Sequence, residues 1–155
     1  MHLADDEWLP AITPVGYPSW ARGPIDILFK PITGRIRFPW QKIFFNEDLQ
    51  SPLTPDTAGD YTDPLEMLRI APSAANRQPW RILKQGNQFH FFLAHNAGYK
   101  GKYDFDIQKI DLGIAMFHFE ATGKEKGLKG DWQVKAPSVH DLPQEWEYIV
   151  TWQAK

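Results

Sequence analysis

Cysteine is absent from all 155 residues, which excludes a disulfide scaffold, thiolate catalysis and any zinc site built on sulfur. An excess of positive charge is also missing: 17 Lys and Arg stand against 19 Asp and Glu, for a formal net charge of −2. The electrostatic footprint of a nucleic-acid binder is therefore lacking, and no nucleic-acid partner is expected. Apolar runs are short and interrupted, as in Phe89-His90-Phe91-Phe92-Leu93, so no segment could span a bilayer and no membrane partner is expected. The opening Met1-His2-Leu3-Ala4-Asp5-Asp6 has no basic stretch leading into an apolar one. It does not read as a secretory signal, and a cytoplasmic location is the expectation.

Familiar site motifs are missing as well. The five histidines are scattered and none stands at a ligand spacing, so no metal site is expected. Ser73 and Ser138 lack the Gly-x-Ser-x-Gly setting of a hydrolase nucleophile. No Gly-x-Gly-x-x-Gly or Walker pattern is present to cradle a phosphate. His118, set in Met116-Phe117-His118-Phe119, reads as a hydrogen-bonded core or interface histidine.

What is present points to a globular chain. Hydrophobic residues make up 43% and charged residues 23%, and the length suits one domain over residues 1–155. Thirteen prolines crowd mostly between Pro10 and Pro79, and seven Trp, ten Phe and five Tyr supply a large aromatic reserve. Residues 9–15 read as an edge strand, Gly16-Tyr17-Pro18 as a turn, and Ile25–Phe29 as a brief helix after Pro24. Residues 34–42 read as a basic-aromatic loop and 46–62 as a linker or exposed loop.

The next element is sharper. Asp63 as N-cap, Pro64 at the first helical position and Glu66 three residues after the cap predict a helix. It ends near Ile70 because Pro72 biases Ala71 away from helical angles. Residues 72–79 are then a loop pinned by a proline at each end. Trp80–Lys84 and Gln88–Leu93 flank Gln85-Gly86-Asn87 as a hairpin with a three-residue turn. From Asp106 to Lys126 runs the longest helical pattern. One apolar face holds Ile107, Ile110, Ile114, Phe117 and Ala121, and a second holds Leu112, Ala115, Met116 and Phe119. The middle of that helix is expected to be buried nearly all round. Gly127 stops it, and Trp132–Lys135 and Glu147–Trp152 follow as strands. The fold class is α+β: a small, mostly antiparallel sheet packed on a long central helix.

One segment carries a specific pattern. Ala71-Pro72-Ser73-Ala74-Ala75-Asn76-Arg77-Gln78-Pro79-Trp80 resembles the helix-to-loop motif of the FMN-dependent nitroreductase family. Leu65–Ile70 is similar to that family's preceding helix. Asp111–Glu120 followed by Gly127-Leu128-Lys129-Gly130 resembles its long helix and Gly-Leu-x-Gly exit. Pro14-Val15-Gly16-Tyr17-Pro18 and Arg37-Phe38-Pro39-Trp40 are similar to its closing strand and Arg-x-Pro tail. In the ordinary family those closing features come last, whereas here they come first. This order resembles the TM nitroreductase subgroup, in which two half-units are fused in one chain. On that resemblance residues 1–45 are a junction and tail, and 63–155 are the second half-unit. The family's N-terminal Arg-Arg-Ser-x-Arg segment has no counterpart here, so a partial chain is expected.

The resemblance implies a function. FMN would be the cofactor, NAD(P)H the reductant, and a nitroaromatic or quinone-like small molecule the acceptor. Pro72, Ser73, Ala74, Ala75, Asn76 and Gln78 would contact the flavin. Arg37, and with it Arg35, would neutralise the phosphate through charge-assisted bonds. A proline-bracketed loop suits this role because its backbone is stiff before a ligand arrives. No catalytic acid, base or nucleophile is implied, since the flavin carries the redox chemistry. In the family this loop reaches flavin across a subunit boundary, so a homodimer or a separate N-terminal half is the expected partner. Two other readings stay open. One is a non-catalytic half-unit or fragment that binds flavin only with a partner. The other is an aromatic-rich binding module with Trp20, Trp40 or Trp132 exposed in a groove.

Overall fold

The computed structural model describes residues 36–96 and 106–155. The expected 9–15 strand, the turn at 16–18, the 25–29 helix and Arg35 lie outside the described residues.

Five strands form one mixed sheet: β1 (Phe44–Asn46), β2 (Trp80–Gln85), β3 (Gln88–Ala94), β4 (Gly130–Gln133) and β5 (Trp146–Ala154). Their order is β1-β2-β3-β5-β4. β1 runs parallel to β2, with Phe44 opposite Ile82, and every other pairing is antiparallel. The α+β class and mostly antiparallel sheet therefore stand. The β2–β3 turn is tighter than expected. Gln85 pairs with Gln88, leaving two loop residues, and Gly86 takes φ +54 at the first of them. That is where a type II′ turn asks for glycine.

Helices α1 (Trp40–Ile43), α2 (Pro55–Ala58), α3 (Thr62–Ile70) and α4 (Ile107–Glu125) complete the described elements, with a 3-10 turn at Gly59–Tyr61. Residues 40–43 are thus helical, not loop. The 46–62 stretch is also more ordered than expected. Thr54 and Thr57 form a reciprocal capping box around the start of α2, and Leu53 and Ala58 are buried. Asp63 does not cap α3. The 3-10 turn feeds straight into the helix, so Tyr61 holds the cap position and Asp63 sits inside the first turn. Its carboxylate pairs with Lys126 instead, tying the start of α3 to the end of α4. Glu66 binds Arg69 at 2.6 Å and accepts from the Trp40 indole at 2.8 Å.

α4 begins where Asp106 accepts the Gln108 N–H at 3.0 Å. It ends in a Schellman closure: Leu128 N–H reaches Gly123 O at 2.9 Å and Gly127 N–H reaches Lys124 O at 3.0 Å, with Gly127 at φ +75. The helix is not buried all round. Gln108, Asp111, Leu112, Ala115, Phe119 and Gly123 face inward, while Gly113 is exposed and Phe117 is 69% exposed. Calling it central overstates its place, since it packs beside α3 over one sheet face. That face supplies Phe44, Trp80, Ile82, Phe89, Phe91, Leu93 and Trp152 to the core. No helix of the described residues is long and apolar enough to cross a membrane.

Gly130 is a place where glycine is required. A Cβ there would fall closer than 3.0 Å to the indole of Trp152. Trp152 is nearly fully buried against Phe119 and Trp132, so the ring has nowhere to retreat. Gly130→Ala should destabilise the fold by about 1–3 kcal/mol through overpacking, read as a lower midpoint in urea unfolding. An unchanged midpoint would show that the β4 edge shifts freely.

Candidate functional site

The proline-bracketed loop begins as α3 stops. Ala71 turns to φ −54, ψ 144, as the residue before a proline tends to do, and Ser73 is extended. A 3-10 turn then spans Ala74–Asn76. Ala75 (φ 47), Asn76 (φ 55) and Gln78 (φ 49) all take positive φ, with Arg77 in the right-handed helical region between them. Left-handed backbone at a non-glycine residue costs on the order of 1–3 kcal/mol and persists only where surrounding contacts over-determine it.

Those contacts come from three directions. Within the loop, Asn76 N–H donates to Ser73 O at 2.9 Å, Arg77 N–H to Ala74 O at 3.1 Å, and Gln78 N–H to Ser73 Oγ at 2.9 Å. From α4, Asp111 Oδ1 accepts the Ala74 N–H at 2.9 Å. Asp111 is only 4% exposed, and its Oδ2 is buried with no partner among the described residues. Burial raises its pKa above the ordinary aspartate value, although the Ala74 bond pulls the other way.

The third direction is the Ile36–Phe38 segment. Asn76 Nδ2 donates to Ile36 O at 2.8 Å, and Gln78 Nε2 donates to the same carbonyl at 3.2 Å. Gln78 Oε1 accepts the Phe38 N–H at 2.8 Å, so this buried side chain pairs with the extended backbone as a neighbouring strand would. Arg37 donates from Nη1 to Asn76 Oδ1 and from Nη2 to Ile70 O at 2.9 Å.

The expected site residues divide accordingly. Pro72 and Ala75 are exposed, and Ser73 and Ala74 are half-buried, which leaves an open face on the turn. Asn76, Gln78 and Arg37 are brought together, but by bonds to one another and to the 36–38 backbone. Trp80 is fully buried in the core with its indole N–H unpartnered among the described residues. Trp40 and Trp132 are half-buried, and their indole N–H groups are tied to Glu66 and Glu120. Neither stands exposed in a groove. His118 is half-buried, with its ring edge-on to Phe117.

The matching family model spans residues 29–123 and is described as "Putative TM nitroreductase". That is more than half of the sequence, and it includes the whole loop and the segment bonded to it. The chain belongs to this family. No curated protein and no solved structure matches it. Gly127 and Gly130 lie beyond the matched span and have physical duties of their own, Gly127 in the helix closure and Gly130 beneath the Trp152 ring.

Two groupings in this family member escaped the sequence reading. His95 lies between two carboxylates, with Nε2 at 2.9 Å from Glu147 and Nδ1 at 3.7 Å from Asp106. The three offer ligand atoms within 4.8 Å of one another, but the ring's opposite nitrogens face different acids and Lys109 holds the other Glu147 oxygen at 2.8 Å. His95 is thus hydrogen-bonded to a carboxylate that Lys109 already pairs. The half-buried Arg81 beside Phe38 and Trp146 is the second, and no local pattern announces either.

Proposed function

We propose that the chain is an FMN-dependent oxidoreductase of the nitroreductase type, or the half of one that carries the loop wall. The observation supporting this most directly is the left-handed turn at Ala74–Asn76, braced from both sides yet open at Pro72–Ala75. Strained backbone held in place around an accessible face is typical of ligand sites. The chemistry supplied by bound FMN is hydride acceptance from NAD(P)H and electron delivery to a nitroaromatic or quinone-like acceptor.

The residues fit such a group in part. Pro72, Ala74 and Ala75 give a low, apolar wall that a planar ring can approach, and Ser73 adds a hydroxyl. Asn76 and Gln78 can turn to a ligand only if the 36–38 segment yields its bonds. Arg37 sits on the loop with its guanidinium directed to Asn76 and Ile70. A complete site on this reading needs a second wall, from a homodimer partner or a separate N-terminal half, in a cytoplasmic setting. The whole sequence would then be one domain, with residues 63–155 its second half-unit.

FMN titration of the purified protein, followed by quenching of flavin fluorescence, tests the proposal. Saturable binding is expected. Ala75→Leu should weaken it by about 1.4 kcal/mol or more, a factor of ten, because the added bulk fills the open face. Circular dichroism should stay unchanged, since both residues pay the same left-handed backbone cost. Absence of FMN binding would end the proposal for the isolated chain in favour of the non-catalytic half-unit, and unchanged affinity in Ala75→Leu would remove the loop from the site.

A further inference from the structure

Alternation along β2 sends Trp80 into the core and Arg81 to the opposite face of the sheet, beside its cross-strand partner Phe92. There the guanidinium is fixed by its Nη1 group, which donates to Gln78 O at 3.1 Å and Trp80 O at 2.6 Å. The rings of Phe38 and Trp146 each stand 5.8 Å from its Cζ. Nε and Nη2 make no hydrogen bond to any described group. No carboxylate among the described residues forms an ion pair with it.

Among the described residues Glu66 is committed to Arg69, and Glu147 to Lys109 and His95. A second cation adds to the imbalance: Lys42 Nζ lies 3.9 Å from the centre of the Phe38 ring. A half-buried cation with no counter-charge among the described residues is costly, and burial lowers the Arg81 pKa below the ordinary arginine range. A guanidinium with one nitrogen anchored and an edge of two donors left over is preorganised for a bidentate oxyanion.

We propose that Arg81, with Lys42 beside the same Phe38 ring, is a binding site for an oxyanion, the phosphate or carboxylate group of a small ligand. Arg81 follows the proline-bracketed loop directly and bonds the carbonyl of its Gln78, so the oxyanion would sit at the base of that loop. The assignment stands without the flavin reading, and the two can fail separately.

The full chain, 15N-labelled, is titrated with inorganic phosphate against sodium chloride at constant ionic strength, observing the arginine Nε–H resonances. One Nε–H is expected to move saturably in the wild type, to be missing in Arg81→Gln, and to respond several-fold more weakly in Lys42→Gln. Lys42 is exposed, so that variant keeps the test open should Arg81→Gln fail to fold. A wild type with no saturable response, or a response unchanged in both variants, overturns the proposal. FMN and riboflavin then distinguish the source. An Arg81-dependent preference for FMN assigns the oxyanion to the flavin phosphate. A phosphate response with no flavin binding supports the oxyanion site and removes the flavin reading instead.

Discussion

Phe119→Ala is expected to lower the unfolding free energy by about 3–5 kcal/mol, the range for losing a buried phenyl ring. Phe119 is almost fully buried and meets five other aromatic rings. Tyr61 lies in the turn before α3, Phe89 and Phe91 on β3, Trp132 on β4, and Trp152 on β5. One side chain of α4 thus joins the helix layer to three strands. The cavity left by truncation cannot close easily, because its walls are rigid rings fixed on separate elements, and partial relaxation is what makes such losses large. Phe117→Ala is the control. It lies two residues away on the same helix, is 69% exposed, and should change stability by no more than about 0.5 kcal/mol. Chemical unfolding of the three proteins, with equal denaturant slopes, reads the difference directly. Similar losses from both variants would mean that the exposed face of α4 is covered in solution.

The contrast between Phe117 and Phe119 marks what the sequence could convey. Apolar periodicity identifies both faces of α4 as greasy, but it cannot say which one the sheet covers. Local signals fared better. Asp106 and Gly127 bound α4 through capping chemistry that needs only neighbouring residues, and Pro72 and Pro79 delimit the loop by fixing backbone angles. β1 was not legible because three residues carry no readable alternation, and its parallel partner lies far along the chain. The site shows the same division. Asn76, Gln78 and Arg37 were recognisable as polar groups of the right kind. Which neighbour claims them is decided by a backbone segment about 40 positions earlier. Arg81 was invisible for the converse reason, since its interest lies in partial burial and in the absence of an acid paired with it among the described residues.

Acidification from pH 6.5 to about 4 should cost the protein about 3 kcal/mol through His90 alone. The imidazole is 1% exposed, and its pKa is lowered to about 4 by burial and by the charge of Lys135. The hydrogen bonds explain why a proton is unwelcome. Thr151 Oγ1 donates to Lys135 O at 2.7 Å, so it must accept from His90 Nδ1 at 2.7 Å. That leaves His90 Nε2 as a bare lone pair, buried and without a partner among the described residues. Protonation there would create a charged N–H with nothing to receive it. The unfolded chain binds this proton near the ordinary imidazole value of 6.5, while the folded chain resists until about 4. Between those values the unfolded state holds more protons, so stability is complete above pH 6.5 and is lost as pH falls through the window. Asp111 works in the opposite sense, because its raised pKa means that acidification relieves a buried charge. The total slope is therefore shallower than the His90 contribution, which is isolated by comparison with His90→Gln. Urea unfolding at pH 7 and pH 4.5 should show the wild type losing more stability than the variant. Parallel losses in the two proteins would place a protonated imidazole in the folded sheet and refute the assigned tautomer.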